Sequence, residues 1–131
     1  MKFKHLLNES VKPKTREELI KIIEKTIKEQ GNNCDLNFID TSLIKDMAYL
    51  FEKSQFNGDI SKWDVSNVEN MYRMFAFSKF NRDISKWNVS NVKNTYAMFF
   101  SSIFNGDISK WDVSNVEYMG GMFANSKFNK D

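Results

Sequence analysis

A repeat of 24 residues constrains the fold of this chain more than any other feature of its sequence. The segment 57–69 recurs unchanged at 105–117, and 81–93 differs from both at three positions. Repeats of this length build stacked architectures, in which each unit buries its apolar side against its neighbours. The clearest columns of this stack are Trp63, Trp87 and Trp111, and Phe51, Phe75, Phe99 and Phe123.

Each repeat changes its apolar spacing halfway along. Ile60-x-x-Trp63-x-Val65 has the spacing of leucine-rich repeats, and helical steps of three and four follow Ser66. Ser66-x-x-Glu69 and Ser114-x-x-Glu117 fit capping boxes at the change, and Ser90 fits a weaker cap. The pattern predicts an α/β fold: a short leucine-rich-repeat-like solenoid of about four 24-residue β/α coils with a parallel sheet. The predicted strands are 35–41, 59–65, 83–89 and 107–113, the first belonging to a degenerate copy at 34–51.

Side chains within a repeat divide into inward and outward sets. Trp63 and Val65 are predicted to point inward, while Lys62 and Asp64 point outward. Asparagines at the return loop should bond the backbone of the neighbouring loop. These asparagines are Asn57, Asn81, Asn105 and Asn129, each preceded by an inward phenylalanine, Phe56, Phe80, Phe104 or Phe128.

A helix is predicted over 16–30, ahead of the repeats. Thr15-x-x-Glu18 fits a capping box, and Gly31 is suited to end the helix. Its apolar stripe should cover the open end of the stack, because the first unit of a stack needs a terminal cap. The expected divisions are a flexible basic tail at 1–14, an N-terminal capping helix at 15–31 and the repeat solenoid at 32–131, with the stripe at Leu19, Ile20, Ile23 and Ile27.

Charge and composition exclude several functional classes. The net charge of +2 is concentrated in residues 1–14, so the repeats are not a basic surface for nucleic acid. No apolar run reaches the roughly 18 residues of a membrane span. The first residues also lack the apolar run of a secretory signal, so we expect a protein that is not secreted by a signal peptide. A cytoplasmic location follows from that expectation.

Catalytic and metal-binding patterns are hard to find. The chain has one histidine, His5, and one cysteine, Cys34, and a nucleophile–base pair would need both in one cleft. Metal-ligand clusters and glycine-rich phosphate loops do not occur. We therefore expect a non-catalytic protein with no cofactor and no metal.

Outward positions of the predicted strands form a candidate recognition strip for a protein partner. Two alternatives remain open for it: a solvated ladder of ion pairs that keeps the surface soluble, and a calcium ladder along the aspartates, which Asn88 interrupts. The strip comprises Phe38, Asp40, Lys62, Asp64, Lys86, Asn88, Lys110 and Asp112.

Strand 107–113 is a second candidate interface, because it would be the unpaired edge of the predicted sheet. Exposed edges recruit partners. One outcome is an isologous homodimer through this edge, and another is a strand supplied by a different protein. The candidate edge residues are Lys110, Trp111, Asp112, Met119, Met122, Phe123 and Phe128.

The repeats resemble the BspA-like, Treponema-type leucine-rich repeat family, in the form found in mycoplasma-type surface lipoproteins. The shared pattern is F-N-x-D-I-S-x-W-[DN]-V-S-N-V-x-N-M-x-x-M-F, and it covers about 34–131. The resemblance implies a right-handed β/α solenoid that recognises proteins or surfaces and is not an enzyme. Members are often exported adhesins, whereas this chain shows no signal sequence.

The first residues resemble the capsid-targeting leaders of T-even-type bacteriophage internal proteins. Such leaders end in a Leu-or-Ile-x-Glu site that the prohead protease cuts, and Leu7-Asn8-Glu9 has this form. This resemblance implies a phage-encoded protein that rides in the virion and is cut after Glu9; the alternative is a solvated basic terminus. The expected function is a protein–protein interaction module with a partner of unknown identity. The alternatives are a phage virion or injected protein acting on host proteins, a surface adhesin and, least favoured, an enzyme.

Overall fold

The computed structural model describes residues 11–130, and the one helix in that range is α1, Arg16–Gln30. The Thr15 hydroxyl oxygen caps its start by accepting a hydrogen bond from the N–H of Glu18 at 3.1 Å. Gly31, with a φ of 91°, ends the helix, and its N–H donates to the carbonyl of Ile27. The predicted limits of this helix are therefore confirmed. Within the described range, no helix has the length and apolar content to span a membrane.

Helix α1 packs on the first of four repeats, which we number 1 to 4. Leu19 and Ile23 are buried in the same apolar core as the repeats. The Arg16 Nε donates to the carbonyl of Ala48 at 2.7 Å, which ties the start of the helix to repeat 1. The repeats are 33–56, 57–80, 81–104 and 105–128.

Residues 11–14, which the sequence assigns to the tail, also lie against repeat 1. Val11 forms a parallel bridge with Ile39, and its carbonyl accepts the N–H of Asp40 at 2.7 Å. Pro13 is buried. The rest of the predicted tail, 1–10, lies outside the described residues.

The predicted strands and short helices of the repeats are wrong. No sheet forms in residues 11–130, and isolated parallel bridges join neighbouring repeats instead. Each repeat is a series of consecutive tight turns, so the fold is not a β/α solenoid with a parallel sheet. The predicted strand ranges 35–41, 59–65, 83–89 and 107–113 contain no strand, and the bridges between repeats are Asp35–Asp59, Asp46–Asn70, Asn70–Asn94 and Asn94–Tyr118.

A reverse turn closes inside each predicted strand and prevents extended backbone. In repeat 2, the N–H of Trp63 donates to the carbonyl of Ile60 at 3.2 Å. The Asp59 Oδ1 accepts the N–H of Ser61 at 2.9 Å, which makes an Asx turn just before it. The L-x-x-L-x-L spacing therefore marks a turn here. The same turn recurs as Ile39 to Leu36, Trp87 to Ile84 and Trp111 to Ile108.

Ser66 is part of another turn and does not cap a helix. Its N–H and its hydroxyl both donate to Asp64 Oδ1, at 3.0 and 2.6 Å. The N–H of Val68 then turns back to the carbonyl of Val65. An aspartate two residues before a serine competes for the groups that a helix cap would use. The capping boxes predicted at Ser66 and Ser114 and the weaker cap at Ser90 are therefore wrong, since Ser90 and Ser114 donate in the same way to Asn88 and Asp112.

The segment 71–77 has helical apolar spacing without being a helix. The N–H of Met74 turns back to the carbonyl of Met71, whereas the N–H groups of alternate residues donate to the next repeat. Arg73 and Phe77 have φ values of 52° and 57°, which interrupt any right-handed helical run. Steps of three and four therefore come from successive turns. The donors are Met71, Arg73, Phe75 and Phe77, and the acceptors are the carbonyls of Asn94, Tyr96, Met98 and Phe100.

Aromatic rings 24 residues apart stack through the core. Ring centroids of Trp63 and Trp87 are 6.5 Å apart, and the planes differ by 4°. The indole N–H of Trp63 donates to the carbonyl of Leu36 at 2.9 Å, so this buried polar group is paired. Trp63 and Val65 are buried as predicted, and the column of Phe51, Phe75, Phe99 and Phe123 stacks in the same way.

The predicted asparagine ladder is confirmed. The Asn57 Oδ1 accepts the N–H of Asn81 at 2.8 Å, and the same bond joins Asn81 to Asn105 and Asn105 to Asn129. Each bond links the start of one repeat to the start of the next, so the ladder fixes the 24-residue register.

Candidate functional site

Four tyrosines form an exposed line across the repeats, which we call the tyrosine row: Tyr49, Tyr72, Tyr96 and Tyr118. Tyr49 is 43% exposed, Tyr96 47% and Tyr118 60%. The rings of Tyr49 and Tyr72 meet edge to face at 5.2 Å, and those of Tyr72 and Tyr96 stack at 5.7 Å. Contiguous exposed aromatic groups of this kind mark interaction sites on soluble proteins.

Asx turns hold the tyrosines on the outside of the repeats. The Asn70 Oδ1 accepts the N–H of Tyr72 at 3.0 Å, and the Asn94 Oδ1 accepts the N–H of Tyr96 at 2.9 Å. The intervening residues are buried, so the tyrosines point the opposite way. The backbone therefore sets the direction of the rings without help from their hydroxyl groups. The buried intervening residues are Met71 and Thr95.

Repeat 4 departs from this pattern in a way that accommodates the row. Gly120 stands where repeats 2 and 3 have Tyr72 and Tyr96, and a Cβ at Gly120 would lie 2.8 Å from a ring carbon of Tyr96. Glycine therefore leaves room for the Tyr96 ring over repeat 4. Tyr118 replaces the turn asparagine, and with Tyr72, Asn94 and Tyr96 it lines a shallow depression of about 340 Å³.

A second exposed aromatic pair continues the surface beside the row. The rings of Phe77 and Phe100 meet edge to face at 5.4 Å, and Phe77 is exposed. The Arg73 guanidinium carbon lies 5.7 Å from the centroid of the Phe77 ring. Since Arg73 follows Tyr72 directly, it connects the tyrosine row to this pair.

Arg73 is held in place by Glu52 of the preceding repeat. Its Nη2 and its Nε each lie 2.7 Å from Glu52 Oε2. The hydrogen bond with Glu52 raises the pKa of Arg73 above its usual range. A hydrogen bond with Tyr72 likewise raises the pKa of Tyr49, so that this phenol stays neutral. The surface is therefore aromatic and hydroxyl-bearing, with one neutralised ion pair inside it.

The predicted recognition strip is exposed, but its acidic side chains are engaged in turns. Lys62 and Asp64 are exposed, and so are the equivalent residues of repeats 3 and 4. Within residues 11–130, no ion pair joins these lysines to the aspartates, so the proposed ladder of ion pairs does not form. The Oδ1 atoms of Asp64, Asn88 and Asp112 each accept the N–H of the serine two residues later, and the strip lysines are Lys62, Lys86 and Lys110.

The first two strip residues have a different environment. Phe38 is half-buried and packs against the apolar core. The Asp40 Oδ1 accepts the N–H of Ser42 at 3.0 Å, and Lys12 Nζ lies 3.8 Å from its Oδ2. The hydrogen bonds from Ser42 lower the pKa of Asp40, and Lys12 adds to this effect. The strip as a binding surface stays a prediction.

The predicted edge residues gather at the C-terminal face of repeat 4, although 107–113 is not a strand. Trp111 and Met122 are buried, Phe123 and Phe128 are half-buried, and Met119 is exposed. Four of these residues help to line an apolar cavity of about 340 Å³, together with Trp111. The homodimer stays a prediction. Lys110 and Asp112 are exposed at the rim, and the cavity-lining residues are Met119, Met122, Phe123 and Phe128.

Two further predictions can be placed or set aside. The leader residues Leu7 and Glu9 lie outside the described residues. Cys34 is buried, and burial raises the pKa of its thiol, so it is not activated as a nucleophile. Among residues 11–130, no group of three or more histidine, cysteine or acidic side chains could hold a metal ion.

The tyrosine row was not predicted from the sequence. The available signal was the spacing of Tyr72 and Tyr96, which are 24 residues apart and directly follow the buried column of Met71 and Thr95. An assumed helix hid this signal, because it gives no reason for alternate residues to face outward.

Comparison with protein families places the chain. A family model described as "Mycoplasma protein of unknown function, DUF285" matches residues 20–131. The chain belongs to this family. Membership in DUF285 supports the mycoplasma-type repeat resemblance at the level of the family. The DUF285 match begins after Leu7–Glu9 and so does not extend to the leader resemblance.

No curated protein and no solved structure gives a significant match to the chain.

Proposed function

We propose that the chain is a non-catalytic protein-binding module that contacts its partner through the tyrosine row. The observation that carries this proposal is the continuous exposed surface from Tyr49 through Tyr72 to Tyr96. Tyrosine is enriched in protein interfaces, because it adds a large apolar area and a hydroxyl group with few rotatable bonds. The row is separate from the buried ring columns that hold the repeats together.

The partner should be a folded protein with an apolar patch and hydrogen-bond acceptors at its edge. Stacked rings present their edges and hydroxyl groups outward, which suits a protein surface better than a flat sugar ring. Arg73 already pairs with Glu52, so the centre of the surface offers little net charge. Binding should therefore depend only weakly on salt.

Two observations support a non-catalytic role. The buried thiol of Cys34 has a raised pKa, which keeps it protonated. The BspA-like resemblance of the repeats also implies recognition of proteins or surfaces. The phage-internal alternative rests on the leader at Leu7–Glu9, and no described residue favours it or the adhesin alternative.

Capture with matched variants tests the proposal. The chain, a Tyr72→Ser/Tyr96→Ser variant and a Lys62→Glu/Lys86→Glu/Lys110→Glu variant would each be immobilised and exposed to an extract of the source organism. We expect one stoichiometric partner to bind the chain and the lysine variant but not the tyrosine variant. Equal capture by the tyrosine variant would refute the proposal, and loss with the lysine variant alone would favour the predicted strip. Circular dichroism of each variant would verify that the fold is retained.

A further inference from the structure

The backbone hydrogen bonds between successive repeats run in one direction along one side of the stack. In repeat 2, the N–H groups of alternate residues from 71 to 77 donate to carbonyls of repeat 3. The carbonyls of the intervening residues accept from repeat 1 in the same way. This segment therefore has a donor edge toward the C-terminal side and an acceptor edge toward the N-terminal side. The same arrangement joins Met47, Tyr49, Phe51 and Lys53 to repeat 2, and Thr95, Ala97, Phe99 and Ser101 to repeat 4.

Repeat 4 presents the same donor edge with no acceptor among residues 11–130. Its carbonyls at 118, 120, 122 and 124 accept from repeat 3. The N–H groups one residue further on donate to no other described residue. Successive N–H groups that include residues of positive φ form concave sites for oxygen acceptors, and Gly121 and Asn125 have φ values of 63° and 55°. The free donors are the N–H groups of Met119, Gly121, Phe123 and Asn125.

An apolar cavity lies beside these donors. It has a volume of about 340 Å³, and Ile108, Trp111 and Val113 form part of its wall. Inside the stack, the equivalent space under each repeat is filled by the rings of the next: Trp87 stacks on Trp111 and Phe99 on Phe123. The face of repeat 4 therefore combines four oriented donors with an apolar hollow.

We infer that this face binds a segment of another protein that offers backbone carbonyls at alternate residues and a large apolar side chain. The acceptor edge of repeats 2 to 4 shows the required arrangement, with carbonyl oxygens 2.8 to 3.0 Å from the donating nitrogens. The carbonyls would pair with the four free N–H groups, and the apolar side chain would enter the cavity. This is augmentation by a peptide backbone, which usually gives affinity through main-chain bonds and specificity through side-chain pockets.

Hydrogen-bond direction argues against a second copy as the occupant. A twofold axis would set this donor edge opposite an identical donor edge, so the four N–H groups would gain no acceptors. Head-to-tail stacking would need the N-terminal side of repeat 1. Helix α1 already covers that side, with Leu19 and Ile23 in the core and Arg16 bonded to the Ala48 carbonyl.

A synthetic peptide with the sequence of residues 93–101 is a suitable probe, because it contains the carbonyls that repeat 2 binds. Amide hydrogen exchange of the full chain, measured by NMR with and without this peptide, reads the donors directly. We expect slowed exchange at Met119, Gly121, Phe123 and Asn125. Unchanged exchange at saturating peptide would overturn the inference, and so would equal protection of the intervening amides.

Two matched variants separate this face from the rest of the surface. Met119 and Leu43 are both 46% exposed, but only Met119 lines the cavity. We expect Met119→Glu to weaken peptide binding by about tenfold or more, and Leu43→Glu to leave it within about twofold. Equal loss in both variants would contradict the inference, as would a peptide-free dimer in sedimentation that protects the same four amides. The Tyr72→Ser/Tyr96→Ser variant should bind the peptide normally, so failure of this inference is distinguishable from failure of the tyrosine-row proposal.

Discussion

The indole N–H of Trp87 donates to the carbonyl of Ile60 at 3.0 Å, across the boundary between repeats 3 and 2. The carbonyl of Ile60 also accepts the N–H of Trp63, which closes the reverse turn of repeat 2. One buried oxygen therefore closes a turn and holds the next repeat. This double use explains how repeats without strands keep a fixed register.

Replacing Trp87 should destabilise the chain more than replacing Trp111. Trp87→Phe removes the bond to Ile60 and leaves a gap between the rings of Trp63 and Trp111. The expected loss is about 2–4 kcal/mol in the free energy of unfolding, from lost packing and a lost buried hydrogen bond. Trp111→Phe should cost less, because Trp111 stacks on one tryptophan and lines the open cavity. Urea unfolding measures both, and equal losses would contradict the role given to the column.

The turn structure predicts opposite effects for two lysine-to-glycine substitutions. Lys53 is exposed and has a φ of 60°, a conformation in which side chains other than glycine are strained. Lys53→Gly should raise the free energy of unfolding by up to about 1 kcal/mol, because it relieves this strain.

Lys79 provides the control for that substitution. It is also exposed, but it is not among the residues with positive φ. Lys79→Gly should lower stability by about 0.5–1 kcal/mol through added freedom in the unfolded chain. Thermal unfolding of both variants tests the backbone assignment. Stabilisation by Lys79→Gly, or clear destabilisation by Lys53→Gly, would count against it.

Acid should weaken the fold through the turn aspartates. Hydrogen bonds from Ser61 and Asn37 lower the pKa of Asp59 from its usual 3.8 to about 2. A carboxylate with a lowered pKa in the folded state stabilises the fold above its unfolded pKa, and this contribution disappears as pH falls through the folded pKa. Stability should therefore fall between about pH 4 and about pH 2.

Two variants isolate the contribution of Asp59. Asp59→Asn keeps an acceptor oxygen for Ser61 but cannot titrate, so its stability should fall less over this range. Ser61→Ala removes the largest cause of the lowered pKa, so its acid transition should move to higher pH. Chemical unfolding at a series of pH values reads both effects. An unchanged pH dependence in Asp59→Asn would show that other groups dominate.

Much of the stack could be predicted from residue identity and spacing. A 24-residue period fixes which side chains share a column, so the Trp63 column and the asparagine ladder from Asn57 followed directly. Helix α1 was predictable because Thr15, its apolar stripe and Gly31 act locally. The strands and short helices were not, because the apolar spacing of a strand with a turn, or of a helix, also fits consecutive turns.

The competing turn chemistry was visible but underestimated. Asp59-x-Ser61 and Asp64-x-Ser66 place a side-chain acceptor two residues before an N–H, and each pair ends an extended or helical run. Positive φ at Arg73 and Phe77 carries no residue signal, because neither side chain favours that conformation. The tyrosine row depended on these turns and therefore could not be placed without them.

The most direct test of the proposed role is a titration of the purified partner against three forms of the chain. The account predicts that Tyr72→Ser/Tyr96→Ser weakens binding by about 100-fold, since central interface tyrosines can each contribute 1 kcal/mol or more. The Lys62→Glu/Lys86→Glu/Lys110→Glu variant should bind within about threefold of the unaltered chain. Unchanged affinity in the tyrosine variant, with loss in the lysine variant, would contradict the account and move the binding surface to the predicted strip.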